Sequence, residues 1–535
     1  MPTPPTEING DGGRPAAARN AGVVVSATLA SRILGYIRDM LIAWSFGAGI
    51  YADAFIVAFR IPNLFRRLVG EGALGMAFIP VFQDQLRRRG RQRALDLAVC
   101  AFRRLALFLA VLVLAGIVVS PMVVRVLAPG FADAGIAFET AVRLTRIMFP
   151  YVLLVGLVAL SMGILNALGH FSAPALAPLV LNVAMIGAIL AGVWQASAMG
   201  VRADLLGIGV VLGGFLQLGL QLPVLRRYGV GLWKRPALAP DGFGRFGRSA
   251  LPVILGGATY QINVLLGTLL ASFLATGSVS YLFYADRLVQ FPLGIFAISA
   301  VTVMMPDLSR QAADRRFADM QQTLRQTLLL VWFVSLPAMM GLMVLREPIV
   351  AVLFERGAFD SNSTRLTADA LLWYSTGLWA YAALRILLAA FYALQEAYRP
   401  LKVAALCVFV NLGSGVLLMK RMGHGGIAMA AALAAIMNVF FLVVLLRRRI
   451  GPLGGREMIP ALARILGCSA LMAGVVHQLN CRLADVPVGG AVGRIGHLSA
   501  TILIGVVVYI GAAWLCRSQE LATCFRLLRR RDKPL

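Results

Sequence analysis

The stretch SRILGYIRDMLIAWSFGAGIYADAFIVAFRIPNLFRRLVGEGALGMAFIP, residues 31–80, decides how this chain of 535 residues is read. It is apolar enough to cross a membrane twice, yet it carries Arg32, Arg38, Asp39, Asp53, Arg60, Arg66, Arg67 and Glu71. A charge at bilayer depth costs about 3 kcal/mol on insertion scales, so such residues face a bundle interior or a watery cavity and mark a substrate path. On a helix, Asp53, Arg60, Arg67 and Glu71 fall on one stripe, and Arg32 and Asp39 share a face of the preceding helix. Gly35 interrupts the first helix, and Pro62, Gly70, Gly72 and Gly75 loosen the second, as in membrane helices that open cavities. Pairing among the charges, or snorkelling to a headgroup layer, accounts for some of them. It does not account for the whole stripe, because arginines outnumber carboxylates. Surplus buried positive charge asks for an anionic guest.

Outward from this stretch, the composition agrees. Hydrophobic residues make up 59% of the chain and charged residues only 14%. A soluble domain averages about 25% charged, so this is a polytopic membrane protein. The net charge of +26 is mostly arginine, in short clusters between apolar runs. That is the positive-inside pattern rather than a nucleic-acid surface, and no nucleic-acid partner is expected. The six cysteines show no metal or disulfide spacing and read as small hydrophobes. No nucleotide-binding loop of the G-x-x-x-x-G-K type is present, and GFGRFG at 242–247 lies in a basic segment with no strand before it. No cofactor or metal is expected.

A span needs about 20 apolar residues. On that basis fourteen helices are expected, near 21–47, 51–83, 94–128, 139–168, 172–195, 204–226, 247–275, 279–308, 322–346, 364–392, 398–419, 425–447, 459–479 and 498–516. One set of alternate connections, with the termini, holds 27 Lys and Arg; the other set holds 7. Both termini are therefore expected in the cytoplasm, with 1–20 a flexible tail that lacks a signal peptide's apolar core. An offset of 226 recurs at Pro80 and Pro306, at NALGHFSAP and YALQEAYRP, and at VLAPGF and VLFERGAF. It predicts an all-α membrane protein with two six-helix lobes related by a parallel repeat, plus two extra C-terminal helices. The expected divisions are an N-lobe at 21–228, a basic linker at 229–246, a C-lobe at 247–449, and helices 13 and 14 with a basic tail at 457–535. In the second half, Asp286, Arg287 and Gln290 are the charged and polar counterpart of the opening stretch. Arginine guanidinium binds phosphate oxygens in a fork and stays charged, which suits a pyrophosphate.

S-R-x-L-G-x-x-R-D at 31–39, the Asp53 turn and F-R-I-P-N-L-F-R-R-L-x-x-E-G-A-L at 59–74 resemble the MurJ/MviN family. These are the lipid II flippases of bacterial peptidoglycan synthesis, within the superfamily of multidrug and polysaccharide exporters. YADRLVQFPLGIF at 284–296 is similar to the family's second signature, and the resemblance runs over roughly 20–520. It implies an inner-membrane transporter whose substrate is lipid II, with membrane lipids and the cell-wall synthesis machinery as partners. It implies that Arg32, Arg38, Arg66 and Arg287 line the cavity, with Asp53, Glu71 and Asp286 as acidic companions. Gln290 stands where family members often carry an acidic residue. Some relatives bind a cation through carboxylates, whereas helices 7 and 11 here offer Gln261, Asn263 and Asn411. Membrane potential is therefore the expected driving force. The rival within transport is a cation-coupled exporter of drugs or of another lipid-linked oligosaccharide. An enzyme acting on the same lipid would need a catalytic carboxylate among Asp133, Asp204 and Asp360, and no paired motif surrounds them.

Overall fold

The computed structural model describes residues 13–67, 73–132, 135–231, 261–484 and 490–530. These are helical almost throughout, with no strand among the described residues. The helices are α1 (Gly13–Phe46), α2 (Ile50–Phe65), α3 (Ala73–Arg89), α4 (Arg91–Val118), α5 (Ser120–Leu127), α6 (Ile136–Met148), α7 (Pro150–Ala167), α8 (Ser172–Trp194) and α9 (Met199–Arg227). After the basic segment come α10 (Gln261–Ser272), α11 (Ser278–Pro292), α12 (Ile298–Ala313), α13 (Phe317–Val344), α14 (Arg346–Phe354), α15 (Ser361–Ser375) and α16 (Leu378–Ala393). Then follow α17 (Tyr398–Ile450), α18 (Gly455–Ala484), α19 (Gly490–Leu515) and α20 (Gln519–Arg530).

Among the described residues, eight helices are long and apolar enough to cross a membrane, or nine if α15 and α16, bent by 45°, count as one span. The sequence expectation of fourteen reads through breaks that the backbone makes. The expected span at 51–83 is interrupted after α2, where residues 66 and 67 wind as π-helix. The span expected at 279–308 is interrupted by a π turn at Leu293–Ala297. Conversely, α17 has 53 residues. At 1.5 Å per residue it would reach about 80 Å, far beyond a hydrocarbon core of about 30 Å. Its backbone breaks at Gly423 (φ 54°, ψ −133°), which divides it into two lengths that each suit one crossing. Three boundaries differ from expectation. α1 begins at Gly13, inside the expected tail; α14 is helical where a loop was expected; and α20 forms within the expected basic tail, with the Ser518 hydroxyl accepting from the Leu521 N–H at its start.

The elements recur along the chain. Arg91–Val118 and Phe317–Val344 stand 226 residues apart at both ends, and so do the starts of α8 and α17. Pro80 and Pro306, also 226 apart, lie inside the corresponding helices α3 and α12, and a π turn precedes each of these helices, at 66–67 and at Leu293–Ala297.

Packing divides the chain into two units, Met1–Phe46 with Ala54–Val126 and Ala132–Ala258, and Gly47–Asp53 with Leu127–Phe131 and Thr259–Leu535. In unit one, α8 packs on α9 and on α1. The contact with α9 is close because Gly209 and Gly213 meet Ala188 and Leu181, where an added Cβ would fall within 2.5 and 2.6 Å of a neighbouring atom. Small residues at membrane helix interfaces permit this approach. Phe78, Phe82, Leu97, Leu160, Ile164 and Leu225 fill its core at α3, α4, α7 and α9. In unit two, α13, α18 and α19 share a core of Phe333, Leu336, Ile465, Met472, Val476 and Tyr509. The Tyr509 hydroxyl donates to the Phe333 carbonyl at 2.6 Å.

The α14–α15 connection ends on a helix cap. Asp360 Oδ1 accepts the Ser363 N–H at 2.8 Å, and hydrogen bonding from Ser363 holds the Asp360 carboxyl below the usual carboxylate range. A lowered folded pKa means that the stabilisation is present above the unfolded value of about 4 and is lost as pH falls below it and through the folded pKa. Asp360→Ala is expected to cost about 1 kcal/mol. Denaturant midpoints of the two proteins should differ at pH 7 and converge in acid.

Candidate functional site

Each unit carries its own polar group inside an apolar frame. In unit one it forms between α1 and α8. Arg38 and Asp39 are 9% and 3% exposed. Arg38 Nε and Nη2 both donate to Asp39 Oδ1, at 3.0 and 2.7 Å, and Nη1 donates to Asn182 Oδ1 at 2.9 Å. Adjacent helix residues point about 100° apart, so only a side chain as long as arginine can curl back to its neighbour. Asn182 Nδ2 donates in turn to the Ser31 carbonyl at 2.9 Å. Tyr151, fully buried on α7, lies within electrostatic reach of Arg66 and Arg38. Its hydroxyl donates to Gln217 Oε1 on α9 at 3.4 Å, and the Gln217 amide donates to the Ala177 carbonyl on α8 at 2.8 Å. Arg66 Nε and Nη2 donate to Asn63 Oδ1 at 3.2 and 3.0 Å. Arg60, Arg66 and Arg67 are half-buried, and Arg32 is exposed on α1. Glu71 lies outside the described residues.

Asp53 behaves differently from the expected stripe. It sits in the first turn of α2, is 2% exposed, and belongs to unit two. One oxygen accepts the Gly277 N–H at 2.6 Å; the other accepts the Ser280 N–H at 2.8 Å and the Ser280 hydroxyl at 2.5 Å. The carboxylate thus seats at the N-terminus of α11, where unpaired N–H groups and the helix dipole favour an anion. Gly277 makes this possible: its φ is +95°, and a Cβ there would lie 2.6 Å from the Ala48 carbonyl oxygen. The stripe is corrected on two counts. Asp53 turns to α11, and the π turn at 66–67 shifts Arg67 off the regular helical register.

On α11 itself, the Gln290 amide donates to Asp286 one turn away, and Arg287 lies 4.9 Å over the Phe283 ring. Such stacking holds a guanidinium while leaving its edges for hydrogen bonds. Asn411 Nδ2 on α17 donates to Asn263 Oδ1 on α10 at 3.0 Å. This is a polar tie between the helices that correspond, at the offset of 226, to α8 and α1. Among the carboxylates considered for enzymatic chemistry, Asp204 pairs with Arg143 at 3.0 Å and Asp360 caps α15. Asp133 lies outside the described residues.

Sequence reasoning missed Tyr151, Asn182, Gln217 and Ser280. A signal existed for Asn182 and Gln217: each is an amide set among apolar residues, and such a group is costly in a bilayer unless it finds a partner. What the arrangement offers chemically is fixed positive charge with forked donors and no paired catalytic carboxylates among the described residues.

Residues 42–489 match the family model described as lipid II flippase MurJ. A probable lipid II flippase MurJ from Rhizobium tropici is 34% identical over 512 residues, covering 95% of this chain and 96% of that protein. The lipid II flippase MurJ of Burkholderia cenocepacia is 33% identical over 497 residues, 91% of this chain and 95% of its own. Among solved structures, a lipid II flippase MurJ in an inward closed conformation superposes with a TM-score of 0.77 at 26% identity, covering 92% of this chain and 98% of that one. An inward-facing multidrug transporter of the MATE family shares the fold alone, with a TM-score of 0.67 at 15% identity, over 81% of this chain and 98% of its own.

Proposed function

The chain belongs to the lipid II flippase MurJ family, and from that premise we propose that it carries lipid II across the bacterial inner membrane by alternating access. The observation that carries the reading is the family match along nearly the whole chain, coinciding with a concentration of arginine in apolar helices. In this reading the pyrophosphate and peptide carboxylates of lipid II are held by arginines among Arg32, Arg38, Arg60, Arg66, Arg67 and Arg287, with Asp39, Asp53, Glu71, Asp286 and Gln290 tuning and orienting them. Fourteen spans are proposed, as two six-helix lobes in parallel repeat followed by α18 and α19, with both termini cytoplasmic. Support comes from the recurrence of helix ends at 226 and from the charge asymmetry of the connections. The polyprenyl tail stays in lipid, with α18 and α19 offering it a groove. Membrane potential drives the cycle, at about 2.3 kcal/mol per charge per 100 mV.

The test is lipid II accessibility at the outer face of cells depleted of the protein. Depletion is expected to trap lipid II inside, and wild type to restore it. Arg32→Ala, Arg66→Ala and Arg287→Ala at matched membrane abundance should each lower flipping about tenfold or more, the size of a lost charged hydrogen bond. Normal exposure of lipid II without the protein, in cells that hold no second flippase, would overturn the reading.

A further inference from the structure

We infer that Asn182 on α8 is a positioning residue for Arg38, holding its guanidinium in the one orientation in which an anionic headgroup meets it. The inference rests on the lipid II reading and deepens it. Asp39 alone under-determines Arg38, because a single carboxylate oxygen takes both the Nε and the Nη2 bond. A two-oxygen fork would fix the plane of the guanidinium; a one-oxygen contact leaves it free to swing. Asn182 supplies the missing third point from a different helix, at 2.9 Å from Nη1. Its own amide cannot flip, because Nδ2 donates to the Ser31 carbonyl and only the opposite side of the amide can then accept from Arg38. Met185, one turn on along α8, places its sulfur 3.9 Å from the same Nη1 and walls that side. Asn182 spends its oxygen on Arg38 and its Nδ2 on Ser31, so it acts through Arg38 rather than on the ligand.

The experiment uses the full chain in nanodiscs of phosphatidylethanolamine and phosphatidylglycerol, with lipid II as the probe and its Kd as the readout. Asn182→Leu should weaken binding about tenfold. The decisive arm repeats Asn182→Leu in a protein carrying Arg38→Met with Asp39→Leu, which removes both members of the buried ion pair together. There the leucine should change nothing. Undiminished binding by Asn182→Leu, or the same tenfold loss in the Arg38→Met, Asp39→Leu background, would overturn the inference. Wild-type protein that binds no lipid II would overturn the flippase reading and this inference with it, a result distinct from the other two.

Discussion

Arg38→Ala is expected to destabilise unit one by about 3–5 kcal/mol, because it takes from the buried Asp39 carboxylate the guanidinium that meets it at 2.7 Å. Asp39 is 3% exposed and has its principal charge partner at 2.7 Å. Asp39→Ala should cost a similar amount by stranding the guanidinium. The paired replacement Arg38→Met with Asp39→Leu should recover most of the loss, since two apolar side chains of like volume remove both desolvation penalties together. Thermal unfolding in detergent measures this, with a fall of about 10 °C expected for either single variant. Single variants that melt with wild type would show that the pair is wetter than its burial implies. The result also governs how transport defects are read. Lost flipping in Arg38→Ala reports stability as much as substrate contact, so Arg32, Arg66 and Arg287 are the cleaner probes of the proposed binding.

Asp53→Ala is expected to loosen the first turn of α11 and to cost about 3 kcal/mol, because it leaves the Gly277 N–H, the Ser280 N–H and the Ser280 hydroxyl buried without their acceptor. Asp53→Asn keeps one acceptor oxygen but turns an NH2 group toward a donor, so it should fall between alanine and wild type. Amide hydrogen exchange reads the effect where it occurs: Gly277 and Ser280 should lose protection in the alanine variant, while the centre of α13 keeps it. Unchanged exchange at those two amides would remove Asp53 from the support of α11. Because α11 carries Asp286, Arg287 and Gln290, a loosened first turn would also reach the arginine on which the proposed binding depends.

Much of the site was legible as chemistry and little of it as geometry. Arg38 and Asp39 stand out in an apolar run because charge at that depth is expensive, and no structure is needed to see it. That Asp39 grips Arg38 with one oxygen, and that Asn182 completes the grip from 144 residues away, depends on α1 and α8 lying side by side. Asp53 shows the limit of helical periodicity. A wheel of 100° per residue puts it in line with Arg60 and Arg67, but the wheel assumes an unbroken helix and says nothing about which helix end stands nearby. The π turn at 66–67 breaks the first assumption. The vacant N–H groups of Gly277 and Ser280 supply what the second omits.

The sequence by itself determined the class of protein and the kind of guest it takes. Both follow from terms that are local and additive: the apolar length of each run, the count of Lys and Arg in each connection, and the surplus of arginine over carboxylate inside apolar segments. Tertiary structure alone decided where the expected spans at 51–83 and 279–308 are interrupted, by the π turns at 66–67 and Leu293–Ala297, and which polar groups satisfy one another. Those outcomes depend on hydrogen bonds between residues far apart in the chain. Such bonds form only when packing removes water and leaves each donor a single acceptor within reach.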